Sequence, residues 1–187
     1  MSQPHHTTQL SSAELAQQLL GIGIIGLLDG DVPSDVILEI GDALLASPLL
    51  AVVVTYSGPR SLQAISILRE RGAEHMLVGA TNVCTAMDAN LAVNAGAQFL
   101  ISPYFDHATS ACAHALKTLY IPGVFIHSEA EEALEAGHDM LHLFPADILG
   151  TSHLLDMRTS LPDCTFIPSS GIQLHNIVAH AKAGAGA

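Results

Sequence analysis

The chain has 187 residues, 49% hydrophobic and 13% charged, a composition that fits one globular domain with a sizeable core and excludes a disordered chain. Six Lys and Arg stand against 18 Asp and Glu, a net charge of -12, which excludes nucleic acid as a partner because phosphate binding needs a basic surface. No apolar run reaches the ~18–20 residues of a membrane-spanning helix, and with no Trp and 4% aromatic residues the core must be built from Leu, Ile, Val and Ala.

In chain order, the polar start MSQPHHTTQLSS lacks the basic-then-apolar layout of a signal peptide, so a cytoplasmic protein with a flexible segment over 1–10 is expected. A short helix follows over SSAELAQQLL, capped by Ser11 or Ser12. The apolar run 22–28 reads as a strand, and 33–47 as a helix. LLAVVVTY (49–56) is the clearest strand, and 59–71 is an amphipathic helix opening on Pro59. Strands over 75–80 and 98–102 flank a helix over 85–96 that ends in a C-cap glycine, Gly96. A helix over 107–119 leads to a strand over 120–126. The segment 128–137 reads as a helix with a Ser-x-x-Glu capping box, and DMLHLF (139–144) as the sixth strand. A helix over 151–161, a strand over 164–168 and a helix over 173–184 complete the pattern, and the Gly-Ala tail 183–187 is expected to be flexible.

Seven short apolar strands, each followed by a helix, imply a parallel sheet covered on its outer face. The candidates are a doubly wound open sheet and a (β/α)8 barrel. No Gly-x-Gly-x-x-Gly follows the first strand, and repeats of roughly 20–25 residues suit the barrel. The expectation is a single-domain (β/α)8 TIM-type barrel lacking its last βα unit. Parallel edges left open in such a barrel call for protection, hence a homo-oligomer or a rearranged rim. Cys84, Cys112 and Cys164 are odd in number and widely spaced, with no metal-ligand pattern, and are read as reduced thiols.

His142 is the residue out of place. Alternation along 139–144 turns it toward the barrel interior, where it is either a hydrogen-bonded core histidine or a pocket residue able to act as general acid or base. His127, His142 and Asp147 fall near the same rim and form a candidate ligand set for a divalent cation, although their spacing matches no known motif. His5 and His6 fall in the N-terminal tail, and His153, His175 and His180 fall on helices expected to face outward.

The words VVVTYSGP (52–59), VGATNV (78–83), AGAQFLISP (95–103), IPGVFIHSEAEEALEAG (121–137), LHLFPAD (141–147) and FIPSSGI (166–172) occur in this order. Together they resemble the 2-keto-3-deoxy-6-phosphogluconate and 4-hydroxy-2-oxoglutarate aldolases over about residues 22–180. The resemblance implies a barrel, usually trimeric, a lyase activity, no cofactor, and a small 2-oxo acid or small anion as the ligand. It also implies a Schiff-base lysine two residues before the Phe-Pro pair, where this chain has His142. The glutamate that transfers protons in the family corresponds to Val53, and an arginine that holds the substrate carboxylate to Ser57, with Arg60 close enough in sequence to reach in. Asn82 stands where the family has a pyruvate-binding threonine. The pocket implied by resemblance consists of Thr55, Asn82, Ser102, Pro103, Phe144, Ser169, Ser170 and Gly171. Lys117 and Lys182 are the only lysines, both late in predicted helices. An aldolase-like protein unable to form a Schiff base is therefore expected. The alternatives are a non-catalytic ligand-binding or structural protein, and a metal-assisted aldolase using His142.

Overall fold

The structure is a computed structural model that describes residues 10–187. The first helix, α1 (Ser12–Ile22), starts on a full capping box, with Ser11 Oγ accepting from Glu14 N–H and the Glu14 carboxylate accepting from Ser11 N–H. It ends on Gly23, whose left-handed φ of 72° a side chain would disfavour. The predicted strand 22–28 is therefore shortened to β1 (Gly26–Leu28), because the helix continues through Ile22. Next come α2 (Ser34–Leu45), β2 (Ala51–Thr55), α3 (Pro59–Gly72), β3 (Leu77–Thr81), α4 (Ala86–Asn94), β4 (Phe99–Ile101) and α5 (His107–Ala115). Helices α4 and α5 are capped by the side chains of Thr85 and Asp106.

The predicted strand 120–126 is split into β5 (Leu119–Ile121) and β6 (Gly123–Val124). Pro122, which lacks an N–H, interrupts the ladder there, although its carbonyl still accepts from His142 N–H at 2.8 Å. Helix α6 (His127–Glu135) starts one residue early. Its cap is not Ser128; the Glu129 carboxylate accepts instead from the N–H groups of Phe125 and Ile126. The chain ends with β7 (Met140–Leu143), α7 (Gly150–Ser160), β8 (Thr165–Pro168) and α8 (Ile177–Ala183). The last helix starts four residues later than predicted because Asn176 closes a turn, accepting from Gln173 N–H and donating to Gly171 O.

All strand pairs are parallel, in two runs ordered β1-β2-β3-β4-β5 and β6-β7-β8. The runs curve around one interior. Val53, Phe99, Ile101, Ile121, Met140 and Ile167, drawn from both, pack in a single cluster together with Leu15 and Leu19 of α1. The alternate residues of β2 to β4, among them Val52, Val54, Val78 and Leu100, pack outward with α3 and α4. Leu141, Leu143 and Phe166 pack with Ala130, Leu154 and Met157 of α6 and α7. This is the layered packing of a βα barrel, with α1 plugging one end. Gly79 belongs to the inner layer, where a Cβ would lie 2.6 Å from the Phe99 ring. The glycine gives Phe99 its place in the barrel. Because β5 and β6 are halves of one strand, the described residues supply seven strand positions, as expected.

The tail 183–187 differs from the flexible segment expected. Gly186 N–H donates to Phe166 O at 2.8 Å, Ala183 and Ala185 pack with the cluster under α7, and Ala187 packs with the interior cluster. Small residues let this segment lie flat against β8. Residues 1–9, with His5 and His6, lie outside the described residues. Cys84, Cys112 and Cys164 are free thiols, Cys164 buried and the other two half-buried. No described helix is long and apolar enough to cross a membrane.

Candidate active site at the strand ends

His142 is the third residue of β7, in register with Ile167 of β8. Its neighbours Leu141 and Leu143 face outward into the helices, so alternation turns His142 into the barrel. The side chain is only 5% exposed. Nδ1 lies 2.7 Å from the backbone carbonyl of Ser102 and Nε2 lies 2.5 Å from Ser169 Oγ. A carbonyl can only accept, so Nδ1 carries the proton. Burial holds the ring below the ordinary histidine pKa, only partly offset by the Ser102 carbonyl. The ring is therefore neutral at pH 7, and Nε2 is a lone pair that accepts the Ser169 hydroxyl proton.

The turn after β4 sets the first of these contacts. Ser102 is buried, and its hydroxyl donates to Tyr104 O at 2.6 Å while taking hydrogen bonds from Tyr120 OH at 2.7 Å and Gly123 N–H at 3.3 Å. One donation and two acceptances use the full capacity of a hydroxyl. Burial pushes the Tyr120 phenol up to about 12, so it remains a donor. A side chain at position 123 would overlap the Pro103 backbone, and glycine there lets the turn pass close to β6. Phe144 stacks on His142 with ring centroids 5.2 Å apart.

A cavity of about 490 Å³ opens beside the ring, lined by Val53, Thr81, Ile101, His142, Ile167 and the segment 168–174, and walled by Gly23, Ile24, Ile25, Leu27 and α8. Among the predicted pocket residues His142, Ser169, Ser170 and Gly171 line it, whereas Thr55, Asn82, Ser102, Pro103 and Phe144 do not. Asn82, with a left-handed φ of 63°, donates to Tyr56 O at 3.0 Å and ties two loops together. Ser170 Oγ donates to the Asp147 carboxylate at 2.9 Å. Arg60 does not reach in, being ion-paired with Asp31 at 3.0 Å on the surface. Lys117 and Lys182 are exposed and outside the lining. Among the described residues, no Lys, Arg, Asp or Glu lines the cavity.

The candidate metal set is not assembled. Among the described residues no group of three or more His, Cys, Asp and Glu is placed to hold an ion. Both nitrogens of His142 are engaged, and Asp147 is bonded to Ser170. His153, expected on an outward face, bonds Phe125 O at 2.6 Å. His180 departs further from expectation. It is 6% exposed and lines the cavity, with Nδ1 3.2 Å from Asn176 O and, among the described residues, no partner for Nε2. Helical spacing with Ile177, also a lining residue, is the signal that could have turned it inward.

The sequence model of the family described as "Aldolase: KDPG and KHG aldolase" matches residues 23–187. The chain belongs to the KDPG and KHG aldolase family. It is 33% identical over 144 residues to a 2-dehydro-3-deoxy-phosphogluconate aldolase of Treponema pallidum, a match covering 75% of this chain and 68% of that protein. It is 32% identical over 142 residues to the Pseudomonas aeruginosa enzyme of the same name, covering 75% of this chain and 64% of that one. The chain thus spans about two thirds of the length of these relatives. Among solved structures, the KDPG aldolase of Legionella pneumophila, with pyruvate captured as a covalent carbinolamine, superposes with a TM-score of 0.85 at 25% identity, covering 91% of this chain and 84% of that one. The Zymomonas mobilis 2-keto-3-deoxy-6-phosphogluconate aldolase gives 0.82 at 27% identity, covering 88% and 78%. Aldolase-family homology and the βα barrel agree with the layout read from the strand-helix alternation.

Proposed function

We propose that this chain is an aldolase-like protein whose barrel mouth takes small 2-oxo acids of the pyruvate type and does not bind them as a Schiff base. The observation that carries this reading is His142, held neutral between Ser102 O and Ser169 Oγ with no lysine among the described residues that line the cavity. A Schiff base needs a nucleophilic primary amine in reach of the ketone, and imidazole cannot supply one. What His142 can do is move a proton. Its Nε2 lone pair accepts from Ser169, whose oxygen can in turn take a proton from a carbon next to a ketone, so the pair serves as a relay for enolisation. Ser170 and Gly171 line the same mouth, and Ser102 and Phe144 hold the His142 ring that faces it. The metal-assisted reading loses its main ligand, since neither His142 nitrogen is free.

Borohydride reduction of the protein with pyruvate, followed by intact-mass measurement, is expected to leave the mass unchanged, and an adduct at any residue would overturn the reading. His142→Lys serves as the positive control, because an amine at that place is expected to be trapped by a pocket that accepts pyruvate. Exchange of the pyruvate methyl protons in D2O is expected with the wild type and lost in His142→Gln. A protein that binds pyruvate in a thermal-shift assay but shows no exchange would favour the non-catalytic reading. The family resemblance extends the reading to a homotrimer, for which sedimentation would show three times the 19.5 kDa chain mass.

A further inference from the structure

Ser169 and His142 are a nucleophile and a base already in contact. The hydroxyl donates to Nε2, Nδ1–H is anchored on the buried Ser102 carbonyl, and the ring is shielded from water. Nucleophilic serines share this arrangement, with a base that takes the proton and a third group that fixes the tautomer. Here the third group is a backbone carbonyl rather than a carboxylate. Ser169 is half-buried and lines the cavity, so its oxygen is open to a ligand while the ring behind it is not. Among the described residues no Lys, Arg, Asp or Glu side chain lines the cavity, and Val53, Ile101, Ile167, Ile172 and Leu174 make most of it apolar. Such a wall also suits the acyl portion of a small uncharged ester.

We infer that Ser169 is a covalent nucleophile activated by His142, and that the cavity accepts small uncharged esters whose acyl group it takes up. In the first step Ser169 Oγ bonds to the ester carbonyl carbon as its proton passes to Nε2. The carbon–alkoxy bond then breaks, and the leaving oxygen departs as an alcohol with the proton from Nε2. Water attacks the acyl-serine, delivering its proton to Nε2, and the carbon–Oγ bond breaks as that proton returns to Ser169. The balance is ester plus water to acid plus alcohol, with no oxidant and no cofactor. Throughout, Nδ1–H stays on Ser102 O, which orients the ring and shares the positive charge of the transient imidazolium. Loss of the carboxylate from a triad lowers turnover about 10⁴-fold, so covalent capture is the sensitive measurement and fast turnover is not expected.

The full chain is treated with a fluorophosphonate at pH 7.5 and mapped by peptide mass spectrometry. The expected result is a single adduct on Ser169, absent in Ser169→Ala and formed at least ~10²-fold more slowly in His142→Gln. Labelling is expected to be level with pH around neutrality and to fall only at pH below the ordinary histidine range, because burial lowers the ring's pKa. If His142→Gln does not fold, p-nitrophenyl acetate supplies the second measurement. The wild type is expected to release a burst of p-nitrophenolate matching the protein concentration, and Ser169→Ala, at a half-buried position, none. An unlabelled Ser169 in the folded wild type, labelling that ignores the His142 change, or a burst retained in Ser169→Ala would overturn the proposal. No 2-oxo acid enters these assays, so their outcome is separate from that of the pyruvate experiments.

Discussion

At the scale of single residues, the two nitrogens of His142 have opposite roles because one meets a carbonyl and the other a hydroxyl. A second buried histidine gives a sharper prediction. His138 is held by Ser110 Oγ at 2.7 Å and stacked on His114, and burial lowers it to about 4, with His114 adding to the shift. In the unfolded chain the same ring titrates near 6.5. Its folded pKa is depressed, so the unfolded state binds the extra proton first, and the stability gained from keeping the ring neutral is present above about 6.5 and lost as pH falls toward 4. The loss is on the order of 2–3 kcal/mol at ~1.4 kcal/mol per pH unit. Urea midpoints measured across this range should fall in the wild type and fall less in His138→Gln; parallel curves would refute the assignment. The two tight glycines make a simpler case. Gly123→Ala would drive a methyl into the Pro103 backbone and Gly79→Ala into the Phe99 ring. Overpacking of this kind costs about 1–3 kcal/mol, with Gly123 the worse because backbone cannot step aside as a ring can. Denaturant midpoints should rank them in that order.

At the scale of elements, α1 closes one end of the barrel by placing Leu15 and Leu19 among inward residues from six strands. Leu19 is fully buried, so Leu19→Ala should cost roughly 2–5 kcal/mol, read as a lower urea midpoint with an unchanged slope. The split of β5 from β6 follows from Pro122 alone, and its position lets the His142 amide pair with the Pro122 carbonyl. Boundaries were the least legible part of the sequence. The predicted helix 107–119 gives up its last residues because Lys117 turns left-handed at φ 55° and Leu119 pairs with Phe99, a cross-strand contact that local propensity does not contain. The helix predicted from 173 fails for a comparable reason, since the Asn176 side chain competes for the local backbone.

At the scale of the whole molecule, the charge of -12 and a mouth with no Lys or Arg among its described lining residues should repel anionic ligands over long range. Raising the ionic strength from about 0.01 to 0.15 M shortens the screening length from ~30 to ~8 Å. Pyruvate affinity is therefore expected to improve a few-fold with salt in an equilibrium titration, whereas a site built on Arg or Lys would weaken. The exposed Arg60–Asp31 pair contributes little, about 0–1 kcal/mol, and Arg60→Gln should leave both the melting temperature and pyruvate binding almost unchanged.

By itself the sequence determined the strand-helix alternation, the family, the seven strand positions and the inward turn of His142. Each of these depends on periodicity or on words that neighbouring residues spell out. Only the tertiary structure decided what His142 touches. Ser102 and Ser169 lie 40 and 27 residues away in the chain and meet the ring because β7 pairs with β8 in one register while the turn after β4 is pinned by Tyr120 and Gly123. It also decided that His180 faces the cavity, that Arg60 turns to Asp31, and that no Lys, Arg, Asp or Glu among the described residues lines the mouth. Those outcomes depend on where separate elements bring their side chains together, and the order of residues along the chain does not carry that information.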